Sequence, residues 1–418
     1  MIHMLRRVTP KFLFDWYHRI LSWFTAAWYG HPSREMIVIG ITGTNGKTTT
    51  TYLTAKALEA SGHPTGCTTT ALFKIGEREW LNDTKMTMLG RFALQRLLHK
   101  MVTAGIRYAV IEVSSQGIVQ HRHRGIATDV AVFTNLTPEH IESHGGFENY
   151  KAAKIELFRH VARRPAKVIE GREIPKIAIL NRGDEHSKDF ALPGFDRIVW
   201  YEVDETLSLK LPGRFNLENA SAALATVEAL GIPRDAAKQK IEAVANMPGR
   251  METIDEGQPF TVIVDYAPEP YALKACYEAI ENIPHDRLIH VLGSTGGGRD
   301  VARRPTLGRM AAEHADVVIV TNEDPYDDDP RAIIEQVADG AREVQNQSIG
   351  ILTILDRREA IRRAIREARP GDMVLLTGKG CEQAIMGPRG TKFPWDERSV
   401  AREEIRSILN ATHSHVPH

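Results

Sequence analysis

The residues with the clearest chemical signature lie in a glycine-rich turn near the start of the 418-residue chain. The turn consists of Gly43, Thr44, Asn45, Gly46, Lys47, Thr48 and Thr49. The β-branched run 36–42 before it predicts a strand, and the apolar-periodic segment after it predicts a helix that reaches about residue 60. This order presents backbone N–H groups, a lysine ammonium and a helix N-terminus to a chain of phosphates. We therefore predict an ATP site in which Lys47 reaches the β- and γ-phosphates and Thr48 binds Mg²⁺.

A carboxylate and an imidazole follow two other predicted strands. Glu112 lies at the end of the run 108–113, and His140 follows the run 130–136. Because ligands of open α/β sheets bind at the carboxyl ends of the strands, both side chains are expected to face the phosphates. This pairing favours a second divalent ion, so we predict that Glu112 and His140 bind another Mg²⁺.

Alternating strand and helix patterns predict an α/β protein with two domains and an N-terminal arm. The arm covers 1–35, and a central P-loop-type mononucleotide-binding domain with a parallel sheet covers 36–247. The C-terminal domain, 248–418, is predicted to be Rossmann-like. Its predicted strands are 260–265, 288–292, 317–321 and 373–377. Its glycines 296–298 do not form a G-x-G-x-x-G fingerprint, so a dinucleotide is not expected.

The composition excludes several classes of protein. The 53 Lys and Arg residues balance 53 Asp and Glu residues, so the chain lacks the overall positive field that collects nucleic acid. Hydrophobic residues make up 42%, as in a folded globular protein. The three cysteines (Cys67, Cys276 and Cys381) are too far apart for a disulfide framework or a zinc ribbon, which favours a reducing, cytoplasmic setting.

The arm differs from the rest of the chain because it is rich in aromatic and basic residues. Its longest uncharged stretch, 20–29, is about half of the ~20 residues that a membrane span needs. Two interpretations stay open: a helix that packs on the protein's own body, or an interfacial helix that contacts a membrane surface or a partner. The aromatic residues spread too far around the helix for a one-sided core stripe, which favours the second.

Several motifs in order along the chain resemble those of the Mur ligases, and most closely their MurE branch, which adds the third residue of the peptidoglycan stem peptide. They are G-T-N-G-K-T-T-T at 43–50, E-V-S-S-Q-G at 112–117, F-T-N-L-T-P-E-H-I-E-S-H-G at 133–145, Y-K-A-A-K at 150–154, G-R-F-N-L-E-N-A at 213–220, P-G-R-M-E at 248–252, V-D-Y-A at 264–267 and L-T-G-K-G-C-E at 376–382. The resemblance covers roughly residues 36–400. It implies an ATP-dependent ligase that activates a muropeptide-like carboxylate as an acyl phosphate and joins it to an amino acid.

The resemblance also implies roles for single residues. Lys154 matches a lysine that is carbamylated in the family, and the carbamate would bind the second Mg²⁺ with Glu112 and His140. The helix pattern alone reads Lys154 as a surface lysine. The positions that match nucleotide contacts are Asn216, Asn219, Arg250 and Asp265. Those that match contacts to the muramoyl peptide are Ser114, Arg122 and Thr87, the last in a reduced M-T-M form of the family's substrate turn.

The chain departs from the MurE pattern in ways that bear on the acceptor. MurE proteins carry a uridine-binding domain where this sequence has only the aromatic arm before the phosphate loop, which leaves UDP-linked and lipid-linked acceptors open. Ile41 replaces the first glycine of the general loop pattern, and Pro268 and Cys381 stand where the family has histidines.

Other departures bear on the incoming amino acid. The D-N-P-R motif that recognises diaminopimelate reads E-D-P-Y at 323–326, so the bidentate arginine clamp on a distal carboxylate is missing. Glu323, Asp324 and Glu382 are predicted to contact the amino acid. The acidic run 327–329 is either a solvated loop or a feature that favours an amino acid with a cationic end, such as lysine.

Two other functions stay open on the sequence. One is glutamate addition of the folylpolyglutamate-synthase kind, because that family shares the phosphate loop and the two-domain layout. The other is a non-catalytic partner subunit that binds ATP as a structural ligand. The combination of Lys47, Glu112, His140 and Lys154 favours an enzyme, and we expect a monomer or a weak dimer.

Overall fold

Two large sheets organise the computed structural model, which describes residues 11–138, 144–298, 301–344 and 349–413. The described chain divides into two compact units. The first combines the residues up to 209 with 215–244, and the second combines 210–214 with the residues from 245 onward. The domain boundary predicted from the sequence, at about residue 247, lies close to residue 245, where the chain enters the second unit for the last time.

The first unit is built on an eight-stranded sheet and a separate hairpin. Its strands are β1 (Ile37–Thr42), β2 (Thr65–Thr68), β3 (Leu72–Ile75), β4 (Arg78–Leu81), β5 (Tyr108–Glu112), β6 (Val130–Phe133), β7 (Lys167–Ile169), β8 (Arg172–Ile174), β9 (Ile177–Asn181) and β10 (Arg197–Tyr201). The large sheet has the order β10-β9-β6-β1-β5-β2-β3-β4, and β7 pairs with β8. Neighbours in the large sheet are parallel except for the antiparallel pairs β2–β3 and β3–β4.

Helices connect these strands. The described helices of this part are α1 (Lys11–Trp28), α2 (Lys47–Leu58), α3 (Arg91–Thr103), α4 (Ser115–Val119), α5 (Phe147–Arg163), α6 (Arg214–Ala229) and α7 (Arg234–Glu242). Strand β1 is buried along its whole length between β5 and β6, as expected for a β-branched run in a parallel sheet covered on both faces. Because these three strands are parallel, the residues that follow them meet at one edge of the sheet, and this edge carries the candidate site.

The second unit has a six-stranded sheet with the order β11-β12-β16-β13-β14-β15 and a small β17–β18 hairpin. Its strands are β11 (Glu252–Ile254), β12 (Thr261–Val264), β13 (Leu288–Leu292), β14 (Val317–Thr321), β15 (Gly350–Ile354), β16 (Met373–Leu376), β17 (Ala384–Met386) and β18 (Lys392–Pro394). Its described helices are α8 (Pro270–Ile280), α9 (Arg303–His314), α10 (Pro330–Arg342), α11 (Arg357–Glu367) and α12 (Glu397–His413). The pairs are parallel apart from β11–β12 and the hairpin.

The predicted α/β class with parallel-dominated sheets is confirmed in both units. The antiparallel extension formed by β3 and β4, and strand β15 at one edge of the second sheet, were not among the predicted strands. The arm contributes α1, and no helix in the described ranges is both long enough and apolar enough to cross a bilayer.

Candidate active site

The glycine turn after β1 is held by the segment that follows β6. The backbone N–H of Thr44 donates to the carbonyl of Asn135 at 2.8 Å, and the N–H of Asn45 donates to the Asn135 side-chain oxygen at 2.8 Å. In return the Thr134 hydroxyl donates to the carbonyl of Asn45 at 2.7 Å. These bonds fix the turn from a neighbouring parallel strand. Asn135 was not predicted as a site residue, although it lies inside the F-T-N-L motif.

Two glycines of the turn are required by close packing as well as by backbone angle. A Cβ atom on Gly43 (φ 154°) would lie 1.9 Å from the Thr134 hydroxyl oxygen. A Cβ on Gly46 (φ 79°) would lie 2.0 Å from the side-chain oxygen of Asn219. The backbone therefore lies closer to its neighbours than any other residue type permits, as in loops that wrap phosphate groups.

Lys47 opens helix α2 directly after the turn. Its ammonium Nζ donates to the carbonyl of Thr44 at 2.5 Å, so the side chain is folded across the loop. This geometry places a cation and a helix N-terminus on the same loop, which is the electrostatic arrangement expected of a phosphate site.

Thr48 and Glu112 lie in direct contact at the start of α2. The Thr48 hydroxyl lies 3.0 Å from each carboxylate oxygen of Glu112, whose side chain is buried at 1% exposure. Thr70, which was not predicted, donates its backbone N–H to Glu112 Oε2 at 2.6 Å and its hydroxyl lies 3.0 Å from both oxygens. The Thr70 hydroxyl also lies 3.0 Å from that of Thr87, which connects the predicted substrate residue to this cluster.

The donor set of this cluster fits Mg²⁺. A buried carboxylate and nearby hydroxyls are oxygen ligands of the kind that Mg²⁺ prefers. Within the described ranges, no three His, Cys, Asp or Glu side chains converge on one point. Of the side chains predicted to bind the second ion, Glu112 and Lys154 are described, whereas His140 lies in 139–143, outside the described residues.

Lys154 is buried rather than exposed on a helix surface. Its side chain is 1% exposed, and Nζ donates to the carbonyl of Gly43 at 2.5 Å. The same Nζ lies 4.3 Å from the centre of the Tyr150 ring, and the Tyr150 hydroxyl donates to the Thr44 hydroxyl at 3.2 Å. Helix α5 thus brings a lysine and a tyrosine onto the phosphate loop. The interpretation of Lys154 from the helix pattern alone was wrong.

Asn216 and Asn219, predicted to contact adenine, lie on α6 against the start of α2. Both are buried, and the Asn219 amide donates to the side-chain oxygen of Asn216 at 3.2 Å. The Thr50 hydroxyl donates to the Asn219 oxygen at 3.2 Å, and the same oxygen faces Gly46. The structure therefore brings these asparagines to the loop, and adenine contact stays a prediction.

Ser114 and Arg122 lie on the segment after β5. The Ser114 hydroxyl accepts from the N–H of Gly117 at 3.1 Å and so caps helix α4. The Arg122 guanidinium donates to the carbonyl of Met88 and, at 2.6 Å, to the side chain of Gln120. Burial, together with the nearby positive charge of Arg91, lowers the pKa of Arg122 to about 10.

Arg250 and Asp265 lie in the second unit. Asp265 is buried, and its carboxylate accepts the backbone N–H groups of Met251 at 2.7 Å and Ala267 at 2.8 Å. Burial raises the pKa of Asp265, against the opposing effect of Arg250. The Arg250 guanidinium carbon lies 4.6 Å from the centre of the Tyr266 ring. Asp265 therefore holds the backbone at Met251 and Ala267, and contact of Arg250 and Asp265 with the nucleotide stays a prediction.

The three residues predicted to contact the amino acid surround a buried lysine. Lys379 is 0% exposed, and its ammonium lies 2.9 Å from Asp324 and 2.7 Å from Glu382. Burial alone would lower the pKa of Lys379, but the two carboxylates outweigh burial and raise it. Glu323 is buried beside Gly378, and burial raises the pKa of Glu323. Lys379 lies in a motif that the sequence analysis quotes, yet no role was assigned to it.

The acidic run 327–329 is engaged by the protein's own groups. Asp327 accepts the backbone N–H of Arg389 at 2.7 Å, and Asp329 accepts that of Arg331 at 3.0 Å and caps α10. Asp328 lies 3.3 Å from the guanidinium of Arg304. These contacts fit a structural loop better than an amino-acid clamp.

Comparison with models of protein families shows which family the chain belongs to. The model for the Mur ligase middle domain matches residues 41–227, and that for the glutamate ligase domain of Mur ligases matches residues 249–380. The chain belongs to the Mur ligase family. It is therefore an ATP-dependent, ADP-forming ligase that uses Mg²⁺, as the phosphate loop predicts.

Curated Mur ligases are similar over most of their length. A UDP-N-acetylmuramyl-tripeptide synthetase of Roseiflexus sp. (strain RS-1) is 41% identical, with 93% of this chain and 82% of that protein covered. A UDP-N-acetylmuramoyl-L-alanyl-D-glutamate–2,6-diaminopimelate ligase of Geobacillus kaustophilus (strain HTA426) is 35% identical over the same shares of both chains.

Solved structures agree with this assignment. A UDP-N-acetylmuramoyl-L-alanyl-D-glutamate–2,6-diaminopimelate ligase superposes with a TM-score of 0.57 at 28% identity and covers 90% of this Mur ligase and 79% of its own chain. Folylpolyglutamate synthase of Mycobacterium tuberculosis gives a TM-score of 0.66 over 94% and 95% of the two chains. At 20% identity the second likeness shows a shared fold alone.

Proposed function

We propose that this Mur ligase joins an amino acid to the free carboxylate of a muropeptide through an acyl phosphate. The observation that carries the proposal is the cluster at the carboxyl ends of β1 and β5, where a phosphate loop, the Thr48–Glu112–Thr70 set and buried Lys154 lie together. The names of the relatives, a muramyl-tripeptide synthetase and a diaminopimelate ligase, support a muropeptide as the acceptor.

The reaction has two displacements. A carboxylate oxygen of the acceptor attacks the γ-phosphorus, the bond to the β-phosphate oxygen breaks, and ADP leaves. The neutral amine of the amino acid then attacks the acyl carbon, the carbon–oxygen bond to phosphate breaks, and an amide, a proton and inorganic phosphate are formed. In both steps negative charge develops on phosphate oxygens, so a site with fixed positive potential lowers the activation barrier of each step.

The residues of the chain contribute to these steps through charge and position. We propose that Lys47 and the N-terminus of α2 stabilise the charge on the β- and γ-phosphates. Thr48 would hold one Mg²⁺ and Glu112 a second, and both ions when bound would neutralise phosphate charge. Thr70 orients the Glu112 carboxylate through its N–H and hydroxyl. Arg250 and Asp265 are proposed to contribute to nucleotide binding.

A carbamate on Lys154 is the second part of the proposal. The Lys154 side chain is 1% exposed, and in its neutral form a lysine amine can add CO₂ to form a carbamate anion and release a proton. That anion would join Glu112 and His140 as a ligand of a second Mg²⁺. Depleting CO₂ from the buffer should lower turnover, and bicarbonate should restore it.

The matched variants for this test are Lys154→Gln and Lys56→Gln. Lys56 lies in the last turn of α2, where it is partly exposed and pairs with Glu59 rather than with the phosphate loop, so Lys56→Gln should keep both the activity and the response to bicarbonate. Lys154→Gln should have little activity and no response. Equal turnover of the parent enzyme with and without CO₂ would exclude the carbamate while leaving the ligase reaction itself intact.

The amino acid is proposed to bind near Glu323, Asp324 and Glu382. Tyr326 stands where the family's arginine clamps a distal carboxylate, so the group that would bind the distal carboxylate of diaminopimelate is missing. We therefore expect lysine to be used better than diaminopimelate. The pairing of Asp324 and Glu382 with Lys379 leaves Glu323 as the strongest candidate for direct contact.

The experiment that tests the function measures phosphate release with every pairing of acceptor and amino acid. The acceptors are a UDP-linked muramoyl dipeptide, its lipid-linked form and a folate, and the amino acids are lysine, diaminopimelate and glutamate. We expect release with a muropeptide and an amino acid together. Release only with folate and glutamate would favour the folylpolyglutamate-synthase reaction, and binding of ATP without release for any pairing would favour a structural ATP site.

A further inference from the structure

Helix α1 packs on the first unit with its small residues. Ser22, Thr25 and Ala26 are buried. The Ser22 hydroxyl lies 2.7 Å from the carbonyl of His121 and accepts from the Arg91 guanidinium at 2.9 Å. A Cβ on Gly125 would lie 2.7 Å from the Ser22 carbonyl, so the two backbones approach closely. The helix is therefore firmly docked through a small, partly polar face.

The opposite side of α1 carries large apolar residues that remain exposed. Trp16, Trp23 and Trp28 are 65%, 67% and 69% exposed. The full set, which we term the aromatic face, is Trp16, Tyr17, Ile20, Trp23, Phe24 and Trp28 of α1 with Phe92 of α3. At 100° per residue, the α1 members span an arc of roughly 140°. A helix that packs only against the core of its own protein has the reverse pattern, with aromatic residues buried and small polar residues exposed.

The aromatic face is continuous across two helices of the same unit. The Phe24 ring lies 5.8 Å from that of Trp28 and 6.5 Å from that of Phe92 on α3. Exposed contiguous apolar surface of this kind marks an interaction site rather than a random surface.

Charge around the aromatic face has one dominant sign. The arm, residues 1–35, contains five Lys or Arg and two acidic residues, Asp15 and Glu35, although the whole chain has equal numbers of both signs. Arg19 and Arg34 are exposed in this segment, and Arg96 and Lys100 are exposed on the same helix as Phe92. The preferred occupant therefore carries negative charge beside an apolar layer.

We propose that the aromatic face docks on an anionic lipid surface, with α1 lying in the plane of the membrane interface. Tryptophan and tyrosine favour the headgroup region, and arginine and lysine attract anionic lipids. A second copy of the chain is a poorer occupant, because a symmetric contact would bring two positively charged faces together. No membrane crossing is involved, in agreement with the length and hydropathy of the described helices. The proposal stands independently of which acceptor the ligase uses.

Flotation of the full chain with lipid vesicles tests this proposal. Vesicles of phosphatidylcholine alone are compared with vesicles that also contain phosphatidylglycerol, and brominated lipids report on tryptophan depth. The protein should float with the anionic vesicles, should lose roughly tenfold in partitioning without the anionic lipid, and should weaken further with added salt. Tryptophan fluorescence should be quenched by the brominated lipids.

Paired variants separate the aromatic from the charge contribution. Trp23→Ser with Trp28→Ser should lower partitioning by roughly tenfold or more, whereas Phe393→Ser, at an exposed aromatic residue of the second unit, should not change it. Arg96→Glu with Lys100→Glu should likewise weaken binding, whereas the same reversal at Lys274 and Arg309, exposed cations of the second unit, should not.

The result that overturns the proposal is a folded parent protein that does not float with anionic vesicles, or a tryptophan variant that floats as well as the parent. Thermal melting and solution phosphate release verify that each variant is folded. Analytical ultracentrifugation distinguishes the alternative occupant: a parent dimer that the Trp23/Trp28 variant abolishes, without vesicle binding, would assign the aromatic face to a second copy.

Discussion

Each unit contains a site in which carboxylates are held by other side chains, and the two sites differ in the charge of the groups that hold them. In the first unit Glu112 is contacted by neutral donors, the hydroxyls of Thr48 and Thr70 and an amide N–H. In the second unit Asp324 and Glu382 share the ammonium of Lys379. Neutral donors orient a carboxylate without cancelling its charge, which keeps that charge available for a cation. A buried ammonium cancels the charge, so the second cluster stabilises its own loop.

This difference predicts that removing charge in the second unit affects folding and that removing charge in the first affects catalysis.

Lys379→Met should destabilise the second unit. The substitution leaves buried Asp324 and partly buried Glu382 without their cation, and breaking a buried ion pair from one side costs about 3–5 kcal/mol. Hydrogen–deuterium exchange, resolved by peptide, should show faster exchange in β16 and its neighbours. Glu112→Gln is the contrasting variant, because its neutral donors can still bond to an amide oxygen. Equal destabilisation by both variants would contradict the comparison.

Lys47→Ala should remove catalysis while the protein stays folded. Loss of the ammonium on the phosphate loop is expected to lower kcat/KM by about 10³-fold, equivalent to about 4 kcal/mol of transition-state stabilisation. Lys56→Ala, further along the same helix, should retain activity. Steady-state phosphate release measures both. A Lys47→Ala enzyme with normal turnover would remove the loop from the mechanism.

Acid should destabilise the first unit through its buried histidines. Burial lowers the pKa of His160 to about 4 and lowers the pKa of His123 well below its ordinary value of about 6.5. As the pH falls, these two histidines therefore bind protons at a higher pH in the unfolded chain than in the folded protein. Stability is fully present above about pH 6.5 and is lost as the pH falls toward 4, with about 3 kcal/mol attributable to His160.

Urea unfolding between pH 7 and 4 measures this loss. His160→Phe should reduce the pH dependence, and His63→Gln, at an exposed histidine, should leave it unchanged. If the free energy of unfolding of the His160 variant depends on pH as strongly as that of the parent, another group dominates the acid sensitivity.

Much of the fold and part of the site could be predicted from local sequence. The β-branched runs form β1, β5 and β6, and the glycine turn lies between β1 and α2, because these features depend on neighbours in the chain. Strand β15, a short edge strand of mixed burial, lacks such a signal. The role of Thr70 depends on tertiary pairing, and a single threonine in a polar run gives no indication of it.

Lys154 did leave a signal that the helix analysis overlooked. Tyr150, Leu157, Phe158 and Val161 are buried on α5, and Lys154 lies four residues from both Tyr150 and Phe158. A lysine within the apolar stripe of a helix is therefore a sign of burial. Lys379 left a weaker signal, because Glu382 lies three residues away in the same motif but Asp324 comes from the distant loop after β14.

The central claim is that ATP activates a carboxylate, and oxygen tracing tests it most directly. The acceptor is prepared with ¹⁸O at both oxygens of its reacting carboxylate and turned over with ATP and the amino acid, and the released phosphate is analysed by mass spectrometry. Attack by the carboxylate predicts one ¹⁸O atom in each phosphate formed. Phosphate without ¹⁸O, formed at the same rate as the amide, would contradict the account.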